Sequence, residues 1–260
     1  MADYVELLGV RTWYDDYGEG EAVVLLHPGG AGVDARAWRP NLEPLSAEFR
    51  VFTPECRGHG RTPDVEGPIT FELMAQDTIA FLETVVGEPA HLVGCSDGAI
   101  VGLLVALHRP DLVRKLAFIA GVFHYEGWAP GVLDETADPP EFLERFYAEI
   151  SPDGPGHYPV IVKKLAKMHA TEPALTPSEL NRVEARALVM VGDDDEVPLE
   201  HAIALYRNLP NGELAVIPGT SHGLLVEKPA VCNSLILDFL TSDPVPTLAP
   251  IRRAEPKTRL

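Results

Sequence analysis

The stretch His91-Leu92-Val93-Gly94-Cys95-Ser96-Asp97-Gly98-Ala99-Ile100 sets a serine between two glycines, at the junction of two apolar runs. His91–Val93 has the composition of a buried strand, and Gly98–His108 is apolar almost all round, which is typical of a helix at the centre of a domain. Glycines on both sides of a sharp strand-to-helix turn let the two backbones approach, and the turn lifts the serine side chain out of the sheet. We therefore expect a strand, a tight turn and a helix here, with Ser96 presented at the turn.

Short apolar runs alternate with helical patterns on both sides of this stretch. Strands are predicted at Val5–Tyr17 (two strands turning near Gly9), Ala22–Leu26, Arg50–Thr53, His91–Val93, Lys115–Ala120, Ala187–Val191 and Leu214–Ile217, and helices at Phe71–Val86, Gly98–His108, His201–Asn208 and Ala230–Leu240. Such alternation is typical of βαβ units. The fold class predicted is α/β, with a mostly parallel central sheet and helices on both faces.

Residues 123–179 interrupt the alternation. They contain many prolines and two helical patterns, Glu141–Ile150 and Val160–His169, with no convincing strand. We expect a small helical lid, inserted after the sixth strand, over one end of the sheet, although a decorated surface loop would give the same pattern. The core is then expected over residues 1–122 and 180–241. Four prolines and a late basic cluster predict a disordered tail over residues 242–260.

The composition limits the class of protein. The chain has 260 residues, of which 46% are hydrophobic and 23% charged, and it contains no run of 18 uncharged apolar residues. We therefore expect no membrane-spanning helix. The formal net charge of −18 repels phosphate backbones, so we expect no nucleic-acid partner. The same charge could favour neutral or cationic substrates, or simply maintain solubility.

The start of the chain and its cysteines predict a location. The first six residues lack the basic and apolar regions of a signal peptide. Cys56, Cys95 and Cys232 are odd in number and far apart, which favours buried free thiols in a reducing compartment. We expect a cytoplasmic protein. Nothing in the sequence indicates an oligomeric state.

Five motifs together resemble those of the α/β-hydrolase family, over nearly the whole length from Tyr4 to about Thr241. They are Gly94-Cys95-Ser96-Asp97-Gly98, His27-Pro28-Gly29-Gly30 after the third strand, Arg57-Gly58-His59-Gly60-Arg61 after the fourth, Gly192-x-x-Asp195 and Ser221-His222-Gly223. The Ser-Asp-Gly-Ala turn and the short helical insertion are similar to the branch of valacyclovir-hydrolase-like esterases, lactonases and carbon–carbon bond hydrolases. The resemblance implies an α/β-hydrolase fold and a serine hydrolase.

A serine hydroxyl needs a base within hydrogen-bond reach before it becomes a good nucleophile. The family order is Ser…Asp/Glu…His, and His222 is the histidine that follows a late predicted strand and an acid in that order. Three adjacent carboxylates could orient its imidazole, and the resemblance places the acid at Asp195. Asp194 is the main alternative. Cys95 precedes the nucleophile, where its side chain should point away from the site, so we interpret it as a buried structural thiol.

An oxyanion hole for the tetrahedral intermediate needs two N–H donors. One is expected from Asp97, at the positive end of the helix that begins there. Pro28 has no N–H, so the resemblance places the second donor at Gly29, with Gly30 in reserve. The Asp97 carboxylate could also pair with a cationic substrate group, such as an amine on the acyl part. Alternatively, this side chain turns toward the protein or caps the helix.

These residues predict an enzyme that cleaves a small, largely apolar carboxylic ester by acyl transfer. A lactonase or a carbon–carbon bond hydrolase could use the same three residues, and a binding or receptor protein could share the fold with little turnover. The histidines and cysteines lack zinc-ligand spacing, and the glycines after Ala22–Leu26 do not form a dinucleotide or phosphate loop, so we expect no metal and no cofactor.

Overall fold

The computed structural model describes residues 2–133, 140–243 and 247–251. Within these residues its strands are β1 (Asp3–Leu7), β2 (Val10–Tyr14), β3 (Asp16–Tyr17), β4 (Ala22–Leu26), β5 (Arg50–Phe52), β6 (Ala90–Cys95), β7 (Val113–Ile119), β8 (Arg186–Gly192) and β9 (Gly212–Ile217). Its helices are α1 (Arg39–Ser46), α2 (Phe71–Phe81), α3 (Asp97–His108), α4 (Glu141–Ile150), α5 (Tyr158–His169), α6 (Pro177–Leu180), α7 (Leu199–Asn208), α8 (Leu224–Glu227) and α9 (Pro229–Thr241).

Seven strands form the central sheet, in the order β3-β5-β4-β6-β7-β8-β9. All neighbours pair in parallel except β3, which pairs antiparallel with β5 at one edge. Strands β1 and β2 form a separate antiparallel hairpin, which turns at Leu8 and Gly9, both with positive φ. The mostly parallel sheet predicted from the sequence is confirmed.

Side chains on the two faces of the sheet pack into two separate apolar cores. In β4, Val23 and Leu25 join one core, whereas Val24 and Leu26 join the other. Helices α1, α8 and α9 cover the first core, and α2, α3 and α7 cover the second. Because the inner strands are covered on both faces, β4 is a continuous apolar run rather than an alternating one, and β8 is apolar from Ala187 onward.

Two boundaries differ from the prediction. The segment 123–179 follows the seventh strand, not the sixth, because Asp16–Tyr17 forms the additional short strand β3 at the sheet edge. The pattern over Phe71–Val86 is not one α-helix, since α2 ends at Phe81 and a π-helical turn continues to Val86. Gly87, with φ of 73°, then ends the turn in the left-handed region that glycine favours.

Residues 123–179, called the insertion from here on, contain α4, α5 and all but the last residue of α6, and their described part includes no strand. Tyr147, Tyr158, Ile161 and Leu165 are buried in the same core as α2 and α3. The insertion therefore packs on one face of the sheet rather than standing free of it. Residues 134–139 of the insertion, and residues 244–246 and 252–260 of the tail predicted to be disordered, lie outside the described residues.

The parallel strands direct several loops to one edge of the sheet. The loops after β4, β6, β8 and β9 all leave carboxyl ends of parallel strands, so they meet at the same edge. In open α/β sheets this edge is where binding sites form. Of the helices that the structure describes, none has the length and apolar character needed to cross a membrane.

Candidate active site

Ser96 stands on a tight turn between β6 and α3. Its backbone has φ of 53° and ψ of −119°, a conformation that costs a residue with a side chain about 1–3 kcal/mol. The flanking glycines allow the turn, because a Cβ on Gly94 would lie 2.2 Å from the carbonyl oxygen of Gly98. A Cβ on Gly98 would lie 2.1 Å from the carbonyl oxygen of Leu26. A side chain at either position would therefore clash with the backbone, which is why both flanking residues are glycine.

A continuous chain of hydrogen bonds joins Ser96, His222 and Asp195. Nε2 of His222 lies 3.0 Å from Oγ of Ser96, and Nδ1 of His222 lies 2.8 Å from Oδ1 of Asp195. The backbone N–H groups of Gly192 and Val197 donate to the Asp195 carboxylate at 3.0 and 3.1 Å. The Asp195 side chain is fully buried, whereas 23% of the His222 side chain is exposed. The imidazole is thus fixed at Nδ1 by Asp195, while part of its ring remains accessible to a substrate at Ser96.

The three consecutive carboxylates after β8 occupy different positions. Asp195 contacts His222, as the resemblance implied. Asp193 accepts hydrogen bonds from the N–H groups of Gly219 and Thr220, at 2.6 and 3.1 Å, and so holds the loop that presents His222. Asp194 is exposed, and its carboxylate has no partner among the residues that the structure describes. The structure therefore brings Asp195, and not Asp194, to the imidazole.

The charge state of His222 depends on opposing effects. Burial lowers the pKa of His222, but the hydrogen bond and the negative charge of Asp195 raise it, and the net result is a pKa above the ordinary value for histidine. Glu196 adds to this, with Oε2 3.8 Å from Nε2 of the imidazole. The Asp195 carboxylate thus stabilises the imidazolium that forms when His222 takes a proton.

The residues that carry the two expected oxyanion donors, Gly29 and Asp97, lie in contact. A Cβ on Gly29 would lie only 1.8 Å from Oδ2 of Asp97, so the Asp97 carboxylate packs directly on the backbone of the loop after β4. Neither the N–H of Gly29 nor that of Asp97 donates to another group within the described part of the chain. Both N–H groups are therefore free to donate to a ligand.

The Asp97 carboxylate turns toward the protein, where it meets His169. Nε2 of His169 lies 2.9 Å from Oδ1 and 3.0 Å from Oδ2 of Asp97. Burial raises the pKa of Asp97, but the charge and hydrogen bond of His169 lower it below its usual value. Conversely, burial lowers the pKa of His169, but Asp97 raises it above its usual value. Each of the two groups therefore favours the charged form of the other.

Comparison with known proteins identifies the family. A family model described as the alpha/beta hydrolase family matches residues 23–235. The chain belongs to the alpha/beta hydrolase family. It is an enzyme of the hydrolase class, so the binding or receptor protein considered from the sequence is set aside.

Two curated relatives and one solved structure are similar to this hydrolase. It is 27% identical over 249 residues to a putative carbamate hydrolase, RutD, of Agrobacterium fabrum, covering 85% of this chain and 94% of the relative. It is 29% identical over 278 residues to the 2-hydroxy-6-oxononadienedioate/2-hydroxy-6-oxononatrienedioate hydrolase of Comamonas testosteroni, covering 91% and 93%. A serine hydrolase involved in carbazole degradation has the same fold, with a TM-score of 0.78, 23% identity, and coverage of 93% and 98%.

Trp128 and Glu196 of this hydrolase also lie beside His222, and the sequence alone did not indicate either of them. The rings of Trp128 and His222 pack edge to face, with their centroids 5.8 Å apart, and Glu196 approaches the imidazole from the loop after β8. His169 lies in the insertion, and nothing local in the sequence indicates its hydrogen bond to a residue 72 positions earlier. Such contacts depend on how the insertion packs, and the sequence carries no pattern for that.

Cys95 is buried, and burial raises the pKa of its thiol far above the ordinary value. Its side chain belongs to the core under α9, on the face of the sheet opposite α3. A thiol in this environment is neutral and inert. Among the described residues, no group of three or more histidine, cysteine, aspartate or glutamate side chains could hold a metal ion.

Proposed function

We propose that this hydrolase cleaves small carboxylic esters by acyl transfer through Ser96, His222 and Asp195. One observation carries the proposal: the imidazole of His222 bridges Oγ of Ser96 at 3.0 Å and Oδ1 of Asp195 at 2.8 Å. Those distances are within the range at which a base takes a proton from a serine hydroxyl while a carboxylate holds the imidazole tautomer.

The reaction takes two steps. Oγ of Ser96 attacks the ester carbonyl while Nε2 of His222 takes the hydroxyl proton, and Asp195 stabilises the imidazolium. The N–H groups of Gly29 and Asp97 donate to the oxyanion, with Gly30 as the alternative to Gly29. The imidazolium then protonates the leaving alkoxide. A water molecule, activated by His222 in turn, hydrolyses the acyl-enzyme and restores Ser96.

The insertion acts as a lid in this proposal, over a core formed by residues 1–122 and 180–241. Support comes from Trp128, whose ring borders His222, and from His169, which reaches Asp97 beside the nucleophile. The insertion thus contributes side chains next to the reacting atoms. We expect a small-molecule substrate that fits between these side chains and Ser96.

Cleavage of a carbon–carbon bond is the second candidate. The relative from Comamonas testosteroni is named as a hydrolase of an oxo acid, a compound without an ester, amide or anhydride group, so that its hydrolysis breaks a carbon–carbon bond. The relative from Agrobacterium fabrum is named for a carbamate, whose carbonyl resembles that of an ester. A lactone is a cyclic ester and would follow the same steps.

The test combines a reactive probe with a substrate panel. A fluorophosphonate should label the wild-type protein at Ser96 and leave Ser96→Ala unlabelled, whereas Ser178→Ala, which alters an exposed serine on α6, should be labelled like the wild type. Short-chain esters, lactones and vinylogous diketones are then compared by kcat/KM. Hydrolysis of the diketones alone would reject the ester proposal in favour of carbon–carbon cleavage.

A further inference from the structure

An ion pair joins the insertion to the residue that follows the proposed nucleophile. His169 is the last residue of α5, and its Nε2 lies within 3.0 Å of both carboxylate oxygens of Asp97. Only 17% of the His169 side chain and 7% of the Asp97 side chain are exposed. In the part of the chain that the structure describes, no lysine or arginine hydrogen-bonds to Asp97, so the His169 imidazole is the group placed to neutralise it.

The other side of the Asp97 carboxylate packs on the loop after β4. The space between Oδ2 and the Cα of Gly29 is too small for a Cβ, which would lie 1.8 Å from that oxygen. Asp97 and Gly29 are also the two residues whose N–H groups are proposed to bind the oxyanion. A displacement of the carboxylate would therefore reach both donors, and a misplacement of about 1 Å can cost a factor of roughly 10² in rate.

The two other histidines near Asp97, His27 and His59, do not neutralise its carboxylate. His27 donates Nδ1–H to the carbonyl of Pro28 at 2.8 Å, and His59 donates Nδ1–H to the carbonyl of Arg57 at 3.0 Å. Burial lowers the pKa of His27, and it lowers the pKa of His59 to about 4, so both rings are neutral at pH 7. Among the described residues, His169 in the insertion is therefore the group that can place a positive charge beside Asp97.

We propose that His169 is a positioning residue for the hydrolytic site, whose imidazolium holds the Asp97 carboxylate against Gly29 and withholds it from cationic substrates. The inference rests on the proposed function and adds a substrate preference to it. A carboxylate that already has a buried counterion offers little to the ammonium group of an α-amino ester. The wild-type enzyme should therefore hydrolyse an α-amino ester and its des-amino analogue with similar kcat/KM.

Three substitutions test the two parts of this role. His169→Gln keeps a donor of similar reach without the charge, and kcat for a neutral p-nitrophenyl ester should fall by about tenfold to a hundredfold with KM changed less than about twofold. His169→Phe removes the counterion, so kcat/KM for the α-amino ester relative to its des-amino analogue should rise by at least about tenfold. Asp97→Asn combined with His169→Phe should abolish that rise, because no carboxylate remains to bind the ammonium.

His157→Gln is the matched control. His157 immediately precedes α5, and its Nε2 lies 2.9 Å from Oδ2 of Asp64, so it anchors the other end of the same helix. This variant should keep the wild-type kcat and the wild-type substrate ratio. Thermal unfolding of each variant confirms that it is folded before kinetics are compared.

The outcomes separate the inference from the function on which it rests. Unchanged kcat and unchanged substrate ratio in folded His169→Gln and His169→Phe, with an active wild type labelled at Ser96, would overturn the role of His169 alone. An equal loss of kcat in His157→Gln would overturn it as well, since any loosening of α5 would then suffice. A wild type without ester turnover or labelling would reject both proposals.

Discussion

The carboxylate that orients His222 is selected from three neighbours by position, not by residue type. Asp195→Asn should lower kcat by a factor on the order of 10³ to 10⁴ with KM little changed, because the amide can present an NH₂ group to Nδ1 and favour the wrong tautomer. Asp194→Asn changes an exposed carboxylate without a described partner, and kcat should stay within about twofold of the wild type. Steady-state kinetics on one ester checks both. A large loss of kcat in Asp194→Asn would mean that Asp194 takes part in orienting His222.

The pKa of His222 sets the acid limb of activity. Its imidazole must be neutral to take the proton of Ser96, and its pKa lies above the ordinary value near 6.5, chiefly because the Asp195 bond outweighs burial. We therefore expect kcat/KM to rise with pH and to reach half of its plateau above pH 6.5. The imidazolium bond to Asp195 stabilises the fold at low pH and is lost as pH rises through that pKa, so this contribution to stability falls where activity rises.

Measurement of kcat/KM from pH 5 to 9, at constant ionic strength, tests this prediction. In Asp195→Asn the residual activity should have its limb at lower pH, because the group that raises the pKa of His222 is gone. A wild-type midpoint at or below pH 6.5 would contradict the expected direction.

At the level of elements, α3 lies so close to β4 that only glycine fits between them. Gly98→Ala would place a Cβ 2.1 Å from the carbonyl oxygen of Leu26, a backbone atom that cannot rotate away. The free energy of unfolding should fall by about 1–3 kcal/mol or more, and fluorophosphonate labelling of Ser96 should slow, because helix and turn must both shift.

Gly102→Ala on the same helix is the control. There the added Cβ would lie 3.0 Å from Cδ1 of Leu116, the end of a flexible side chain, and alanine gains about 1 kcal/mol of helix propensity over glycine. Its stability should stay close to that of the wild type in urea unfolding. If both variants lose the same stability, the close approach at Leu26 is not what requires Gly98.

The strand–turn–helix around Ser96 could be predicted because its causes are local. Gly94, Ser96 and Gly98 lie within five residues, and their steric needs are visible in sequence. The short strand Asp16–Tyr17 could not be predicted, since two residues carry no periodicity and pair only because β5 is beside them. The π-helical turn at Leu82–Val86 is also invisible, because it continues the apolar pattern of α2.

Over the whole molecule, the sequence predicts which loops meet but not how the insertion closes on them. Parallel strands bring Ser96, Asp195 and His222 to one edge of the sheet, because each follows the carboxyl end of a strand. The bond between Asp97 and His169 spans 72 positions and depends on the path of α4 and α5 over the core. No periodic pattern encodes that path, so the sequence does not predict that His169 contacts Asp97.

The net charge of −18 makes the stability of the whole molecule sensitive to salt. Excess negative charge repels itself in the compact state, and screening shortens the range of that repulsion from about 30 Å at 0.01 M salt to about 3 Å at 1 M. Buried pairs such as Arg57 and Asp77, joined at 2.7 Å with side chains no more than 10% exposed, are screened far less. We therefore expect Tm to rise by several degrees as NaCl increases from 0.01 to 0.5 M at pH 7.5. At pH 5, where some carboxylates take up protons and the net charge is smaller, the rise should be weaker. A Tm that falls with added salt would mean that attractive surface pairs outweigh the repulsion.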